Sequence, residues 1–484
     1  MSLTLSVVVC LACGFFLVRL GWSRLGQSFS EHWLVGSLTV GFGLGIFSVV
    51  FFLSVVLQET RVIAVDVAAL ALLMAGFFWR RVPQVPSAVG VRANDGIEPA
   101  WLRRLVIGAF VIALCAALYS GVMRTLAYPH GDGWDAFSIW NLRARFLFRG
   151  GSNWRDGFTT LLPWSHPDYP LLVPAAVAHF WTYLGYDSPL VPAAIGFLFT
   201  FSTAGVLFSS ISILRGRTAA LLGTTALLAT PSFIELGTSQ YADVPLSFFY
   251  LATIVLLCLH DDRAQDHVSP RAPGLLVLAG IATGFAAWTK NEGQLFLCAI
   301  VLARLCILAR KRGRPHSRAR TGAIFPLLIA IIPMLFLIAG FKHYIAPPGD
   351  LFSDLTTTLH KLLDPSRYWA ITKWYFKGFF RFGRWWLIPG PVLLTGYYFA
   401  AGKEDDDATP QTGLRTSILA LTITLAGYFI VYLITPYDIY WHLRFSLSRL
   451  FLQLWPSAIF VFFLLVKPTT VRDDLLRAPH PAKP

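Results

Sequence analysis

The stretch Leu105–Met123, LVIGAFVIALCAALYSGVM, carries no charge until Arg124 follows it. About 20 mostly apolar residues, rising 1.5 Å each, cover the hydrocarbon core of a bilayer. Lipid offers the backbone no hydrogen-bond partners, so a segment of this kind must be a helix. Comparable segments recur on both sides of it. Before 105–126 come 3–20, 33–57 and 62–79. After it come 188–214, 219–237, 244–260, 274–289, 292–309, 322–345, 385–401, 414–435 and 449–466. The expected fold is therefore an all-α polytopic membrane protein with about thirteen transmembrane helices. Composition agrees, since only 14% of the 484 residues are charged and mean hydropathy is +0.60. Soluble domains carry roughly 25% charged residues.

A net charge of +14 would suggest nucleic acid in a soluble protein. Here the basic residues concentrate in short loops between apolar segments, so no nucleic-acid partner is expected, and topology and anionic lipid explain the charge. The basic loops are 80–104, 215–217, 261–271, 310–320 and the tail after Lys467. Thirteen spans put all of them on one side. That side is cytoplasmic by the positive-inside rule, leaving the N-terminus outside and the C-terminus cytoplasmic in an inner (plasma) membrane. Residues 1–103 read as three helices and a cytoplasmic linker, 104–466 as the core and 467–484 as a cytoplasmic tail. Met1–Leu20 lacks a basic n-region and a cleavage site, and reads as a retained helix. All six cysteines lie in apolar stretches without metal or disulfide spacing.

Two long loops, 127–187 and 347–384, fall on the outer side. Leu171–Leu184 is too short to span and reads as an interfacial or re-entrant helix. In the second loop Lys373, Lys377 and Arg381 recur at i, i+4 among Trp369, Trp374, Phe379 and Phe380. That pattern suits an amphipathic helix lying among lipid headgroups. The acidic run Lys403–Asp407 reads as a solvated cytoplasmic loop.

The polar clusters that can carry chemistry all fall on the outer face. The first loop opens His130-Gly131-Asp132-Gly133-Trp134-Asp135. One reading makes Asp132 a helix N-cap with Asp135 at the third position, close to a capping box. That leaves the pairing of two carboxylates with a histidine and two tryptophans unexplained, so Asp132 and Asp135 are catalytic candidates. Further on, His166-Pro167-Asp168-Tyr169-Pro170 is a fixed turn whose His166, Asp168 and Tyr169 are suited to binding a sugar. As a metal signal it is weak, and no metal site is assigned. Asp243 precedes Pro245 at the outer start of a span, where it reads either as a cap or as a site residue. Lys290 and Glu292 break an apolar run at the outer side. Charges so close to hydrocarbon are costly and often functional. His442, Arg444 and Arg449 sit by the last outer loop, and guanidinium suits phosphate oxygens.

These motifs resemble the C-type-fold glycosyltransferase superfamily, in its bacterial protein O-mannosyltransferase-like and aminoarabinose-transferase-like members. The resemblance runs from about Arg104 to Val466. It rests on Gly131–Asp135, His166–Pro170, Tyr241–Pro245 and Thr289–Gly293, with the Trp441-His442 and Ser448-Arg449 pattern. It implies a sugar donor linked to polyprenyl phosphate, membrane lipids as partners, an acceptor of unspecified kind (protein, lipid or glycan) and inverting transfer with an aspartate as base. The family's adjacent Asp-Glu pair is absent. Matching Trp140 and Ala144 to its Tyr-x-x-x-Ala helix puts Asp135 nearest the catalytic carboxylate, with Asp132 still a candidate. A divalent-metal cofactor is left open. The rival readings are a transporter or lipid flippase, and a scaffold that keeps the fold without catalysis.

Overall fold

The computed structural model describes residues 3–22, 28–59, 61–79, 100–263, 273–310, 324–349, 355–403 and 411–467. The basic segments 80–99, 264–271 and 311–320, the acidic 404–407 and the tail beyond 467 lie outside the described residues. Among those described, the secondary structure is helical apart from one isolated bridge, Lys403 to Val466.

The helices follow the hydropathy closely, except that the last begins at Ile439 rather than at 449, capped by Asp438, so that His442 and Arg444 lie within it and not in the loop before it. α1 (Leu3–Gly21), α2 (Phe29–Val56), α3 (Val62–Trp79) and α4 (Ala100–Ala127) precede the first long loop. Within that loop lie a π-helical turn (Ala136–Trp140), α5 (Asn141–Arg149), two 3-10 turns (Gly151–Phe158 and Pro163–Ser165) and α6 (Leu172–Leu184). The bundle continues with α7 (Leu190–Arg215), α8 (Arg217–Leu228), α9 (Pro231–Thr238), α10 (Asp243–Arg263), α11 (Pro273–Thr289), α12 (Asn291–Arg310) and α13 (Phe325–Tyr344). α14 (Leu355–Leu362) and α15 (Pro365–Phe379) occupy the second long loop. α16 (Gly390–Ala401), α17 (Gln411–Ile434) and α18 (Ile439–Leu465) complete the described chain.

Ten of the described helices are long and apolar enough to cross a membrane. α8 and α9 meet at a 66° bend and make an eleventh span if counted together. α11, with 17 residues, and α16, with 12, occupy the other two expected segments. α16 begins at Gly390 rather than at Trp385. The reason is local: Arg384 adopts a left-handed φ of 55°, and Pro389 and Pro391 withhold backbone donors.

α10 is the axis of the bundle, buried along its whole length by neighbours that include α7, α11, α17 and α18. Asp243 sits at one tip of α10 and Asp261 near the other. Asp261 receives a forked pair of bonds from Arg304 of α12, at 2.6 and 2.9 Å. At that same end Arg215 of α7 bonds the Leu464 carbonyl of α18. The opposite end gathers Asp243, Lys290 and the first outer loop. α6 is buried from Leu172 to Trp181 and packs as a wedge against α2 and α5. Amphipathic helices lie in both loops, α5 in the first and α14 and α15 in the second.

Candidate active site

Two glycines shape the entry to the first loop. Gly131 and Gly133 take φ of +92° and +89°, a region costly for residues with a Cβ. At Gly133 a Cβ would also come within 2.5 Å of the Tyr241 hydroxyl. The chain then turns into the helix containing Asp135 and at once widens to a π-turn, a feature frequent at functional sites. Asp135 makes no capping bond, and Asp132 pairs with Arg124 of α4. The capping-box reading is therefore not what the geometry supports.

Asp135 instead reaches across the bundle to Arg449 of α18, whose Nη1 lies 2.7 Å from its Oδ2. The same guanidinium grips Asp243 with Nε at 3.0 Å and Nη2 at 2.8 Å. Asp243 also accepts from Lys290 Nζ at 3.1 Å and Gln453 Nε2 at 2.6 Å. Lys290 continues the chain to Glu292 Oε1 at 2.7 Å. Five ionisable residues, from the first loop, the tip of α10, the α11–α12 junction and the interior of α18, thus form one alternating line: Asp135, Arg449, Asp243, Lys290, Glu292. Asp243 and Lys290 are its dry part, with side chains 0% and 4% exposed, whereas those of Asp135, Arg449 and Glu292 are 20%, 20% and 19% exposed.

Tyr241 lies beneath Arg449, with the guanidinium carbon 4.8 Å from the ring centroid. Burial and the nearby Asp135 push its hydroxyl up to about 12 against the pull of Arg449, so it stays protonated. Burial works against the Lys290 ammonium. Asp243 and Glu292 more than offset it, and its pKa is raised. The Lys290 ammonium therefore keeps its charge at neutral pH.

The His166–Pro170 turn forms the neighbouring wall. Tyr169 stacks on His166 at 4.9 Å and on Trp140 at 5.8 Å, and faces Lys290 Nζ at 5.9 Å. Burial, together with Glu292 and Asp168, raises its phenol well above the ordinary value. Asp168 accepts from Asn291 Nδ2 at 2.7 Å and from Lys342 Nζ at 3.3 Å. His166 holds a left-handed φ of 48°, which sharpens the turn. Arg143, buried on α5, anchors the whole wall by bonding the Ser165 carbonyl at 2.6 Å. Burial lowers its pKa to about 10, and the charge of Asp168 opposes that fall.

Of the residues expected from the sequence, Asp135, Asp168, Tyr169, Asp243, Lys290, Glu292 and Arg449 converge. His442 lies at the rim, bonded through Nδ1 to Thr435 Oγ1 at 2.8 Å. Arg444 does not join the network: it is exposed, with its guanidinium over the adjacent Phe445 ring. Five residues at roughly 100° each leave it on a different face from Arg449. Asp132 belongs to a separate set, linked through Arg124 to Glu235, which pairs in turn with Arg384 of the second loop. The sequence reading missed Lys342, Gln453, Arg143 and Arg124. Gln453 had a findable signal, one turn beyond Arg449 on the same helix face. Among the described residues no three His, Cys, Asp or Glu side chains gather as metal ligands.

The fold and this line of charges define a multi-pass membrane protein with a polar, acid–base-equipped site at one end of an apolar bundle. Residues 170–345 match the family model described as dolichyl-phosphate-mannose-protein mannosyltransferase, in keeping with the C-type glycosyltransferase resemblance of the motifs. That family is one of membrane glycosyltransferases. The matched segment includes Asp243, Lys290, Glu292 and Lys342, and ends before Arg449. No curated protein and no solved structure matches the chain.

Proposed function

We propose that this protein transfers a sugar from a polyprenyl-phosphate carrier to an acceptor hydroxyl on the outer face of the membrane, with inversion and with Asp135 as general base. The observation that carries the reading is the bridge made by Arg449. Asp243 occupies Nε and Nη2 of the guanidinium, leaving the Nη1 edge to Asp135, at the wetter end of the line. A donor phosphate competes for that edge, because guanidinium recognises phosphate and carboxylate by the same forked geometry. Its arrival releases Asp135 from its ion pair next to the acceptor.

In the step itself the acceptor oxygen attacks the anomeric carbon and gives its proton to Asp135. The bond from that carbon to the phosphate oxygen breaks, and its electron pair leaves with the lipid phosphate. Arg449 and Lys290 stabilise the charge that develops there, in a setting dry enough for such donors to count. Glu292 shares Lys290 with Asp243 and sets where that ammonium points. Asp132 is paired with Arg124 and serves the loop. A polyprenyl-phosphate sugar labelled in the sugar and incubated with purified protein tests the assignment. Asp135→Asn is expected to cut turnover by roughly 10²- to 10⁴-fold, the range of a lost general base. Asp132→Asn should keep most of it. Undiminished turnover in Asp135→Asn would refute the role of Asp135, and absence of label transfer by the unaltered protein would refute the reaction.

A further inference from the structure

α15 turns a strip of positive charge away from the bundle. Lys373 and Lys377 lie one helical turn apart and Arg381 follows just past the helix end, all three exposed. Among the described residues none of the three forms an ion pair, and Lys377 Nζ sits 6.0 Å over the Trp374 ring. The other cations of this loop are engaged by protein. Lys361 bonds the Thr435 carbonyl, Arg367 bonds the carbonyls of Leu433 and Tyr432, and Arg384 pairs with Glu235. The strip is flanked by apolar surface: Trp369 and Phe376 are each 72% exposed, and Trp386 and Leu387 more than 90%. The opposite face is fixed, with Ile371 buried and Tyr375 and Phe379 packed on Phe451, two residues from Arg449.

We infer that this strip docks the anionic headgroups of membrane phospholipid, with phosphate against Lys373, Lys377 and Arg381 and acyl chain along Trp369 and Phe376. Charge complementarity selects the occupant. A zwitterionic headgroup brings no net charge to three unneutralised cations. A soluble polyanion gives Trp369, Trp386 and Leu387 no hydrocarbon. Cation next to exposed indole and leucine is the arrangement that suits an anionic interface. The inference stands apart from the transfer reaction, because none of these residues touches the Asp135–Glu292 line.

Native mass spectrometry of the full chain, titrated with phosphatidylglycerol or phosphatidylcholine, reads the docking directly. The unaltered protein is expected to retain phosphatidylglycerol several-fold more than phosphatidylcholine. The Lys373→Ala/Lys377→Ala/Arg381→Ala variant should lose that preference, and Lys373→Arg/Lys377→Arg should keep it. Inorganic phosphate at equal concentration should not displace the lipid. An unchanged preference in the triple alanine variant would overturn the inference, as would equal retention of the two lipids by the unaltered protein or displacement by inorganic phosphate. Should the alanine variant fold poorly, Lys373→Gln/Lys377→Gln, at two exposed positions, carries the same expectation.

Discussion

Asp243 shows how a buried carboxylate can be indispensable without being the base. A carboxylate offers about four lone-pair positions. At Asp243 Lys290 and Gln453 occupy Oδ1, and the Nε and Nη2 of Arg449 occupy Oδ2. No position is left to take a proton from a substrate, so its work is to aim two cations. Asp135, with one bonded oxygen and a side chain that water partly reaches, is the complement. Asp243→Asn replaces an acceptor with an amide that points donors at donors. Each charged hydrogen bond lost costs about 1.5–3 kcal/mol, so turnover should fall at least tenfold while the protein stays folded. The assay that reads Asp135→Asn reads this too, and normal kinetics in Asp243→Asn would remove Asp243 from the site. The placement of Lys342 was not legible beforehand, whereas Gln453 was marked by its position one turn beyond Arg449. A lysine in the last turn of a span looks like an ordinary polar residue until packing aims it at Asp168.

Single elements show where hydropathy was sufficient and where it was silent. The spans follow from apolar length, which is a property of each segment alone. What joins them follows from contacts between distant residues, and no local pattern encodes those. On α3 only Asp66 is buried, and its Oδ2 meets His179 Nε2 of α6 at 2.9 Å and the Tyr183 hydroxyl. Read alone, Asp66 is one charge in an apolar run. Placed against α6, it is the polar contact that fastens α3 to the first outer loop. Asp66→Ala leaves a buried ring nitrogen unpaired and should destabilise the fold by about 1–3 kcal/mol. Asp66→Ala with His179→Phe removes both partners and should regain part of that loss, and a thermal unfolding series in detergent measures both. The clasp of α5 on Asp187 responds to pH. Burial raises the Asp187 pKa, but Arg149 and Arg145 more than offset this and hold it below the usual carboxylate value. A depressed carboxylate contributes stability above its unfolded value, near 3.9, and loses it as pH falls through the lower folded value. Hydrogen exchange in residues 141–149 should therefore be slow at pH 5 and rise below about pH 4. Asp187→Asn should exchange quickly at both, and a flat profile in the unaltered protein would count against the clasp.

For the molecule as a whole, the two ends of the bundle are chemically distinct, and this ties the site to a side of the membrane. One end holds Asp135, Asp243, Lys290, Glu292 and Arg449, drawn from the first loop and three later helices. The other holds the Asp261–Arg304 pair and the Arg215–Leu464 contact. Arg215 and Lys467 belong to basic segments that the positive-inside rule assigns to the cytoplasm, so the site end should face outward. The six native cysteines lie in apolar helices, three of them buried. An impermeant maleimide applied to intact cells should thus find few competing thiols. Thr160→Cys, exposed in the first outer loop, should label in intact cells, whereas Lys403→Cys, at the opposite end beside Val466, should label only after permeabilisation. Reversed labelling would place the site on the cytoplasmic face and remove the outer-leaflet donor from the proposal. Labelling of both positions in intact cells would break the thirteen-span parity itself. The same labelling places the carboxylate of Asp135, just beyond the charge that ends one apolar run at Arg124, on one side of the membrane or the other.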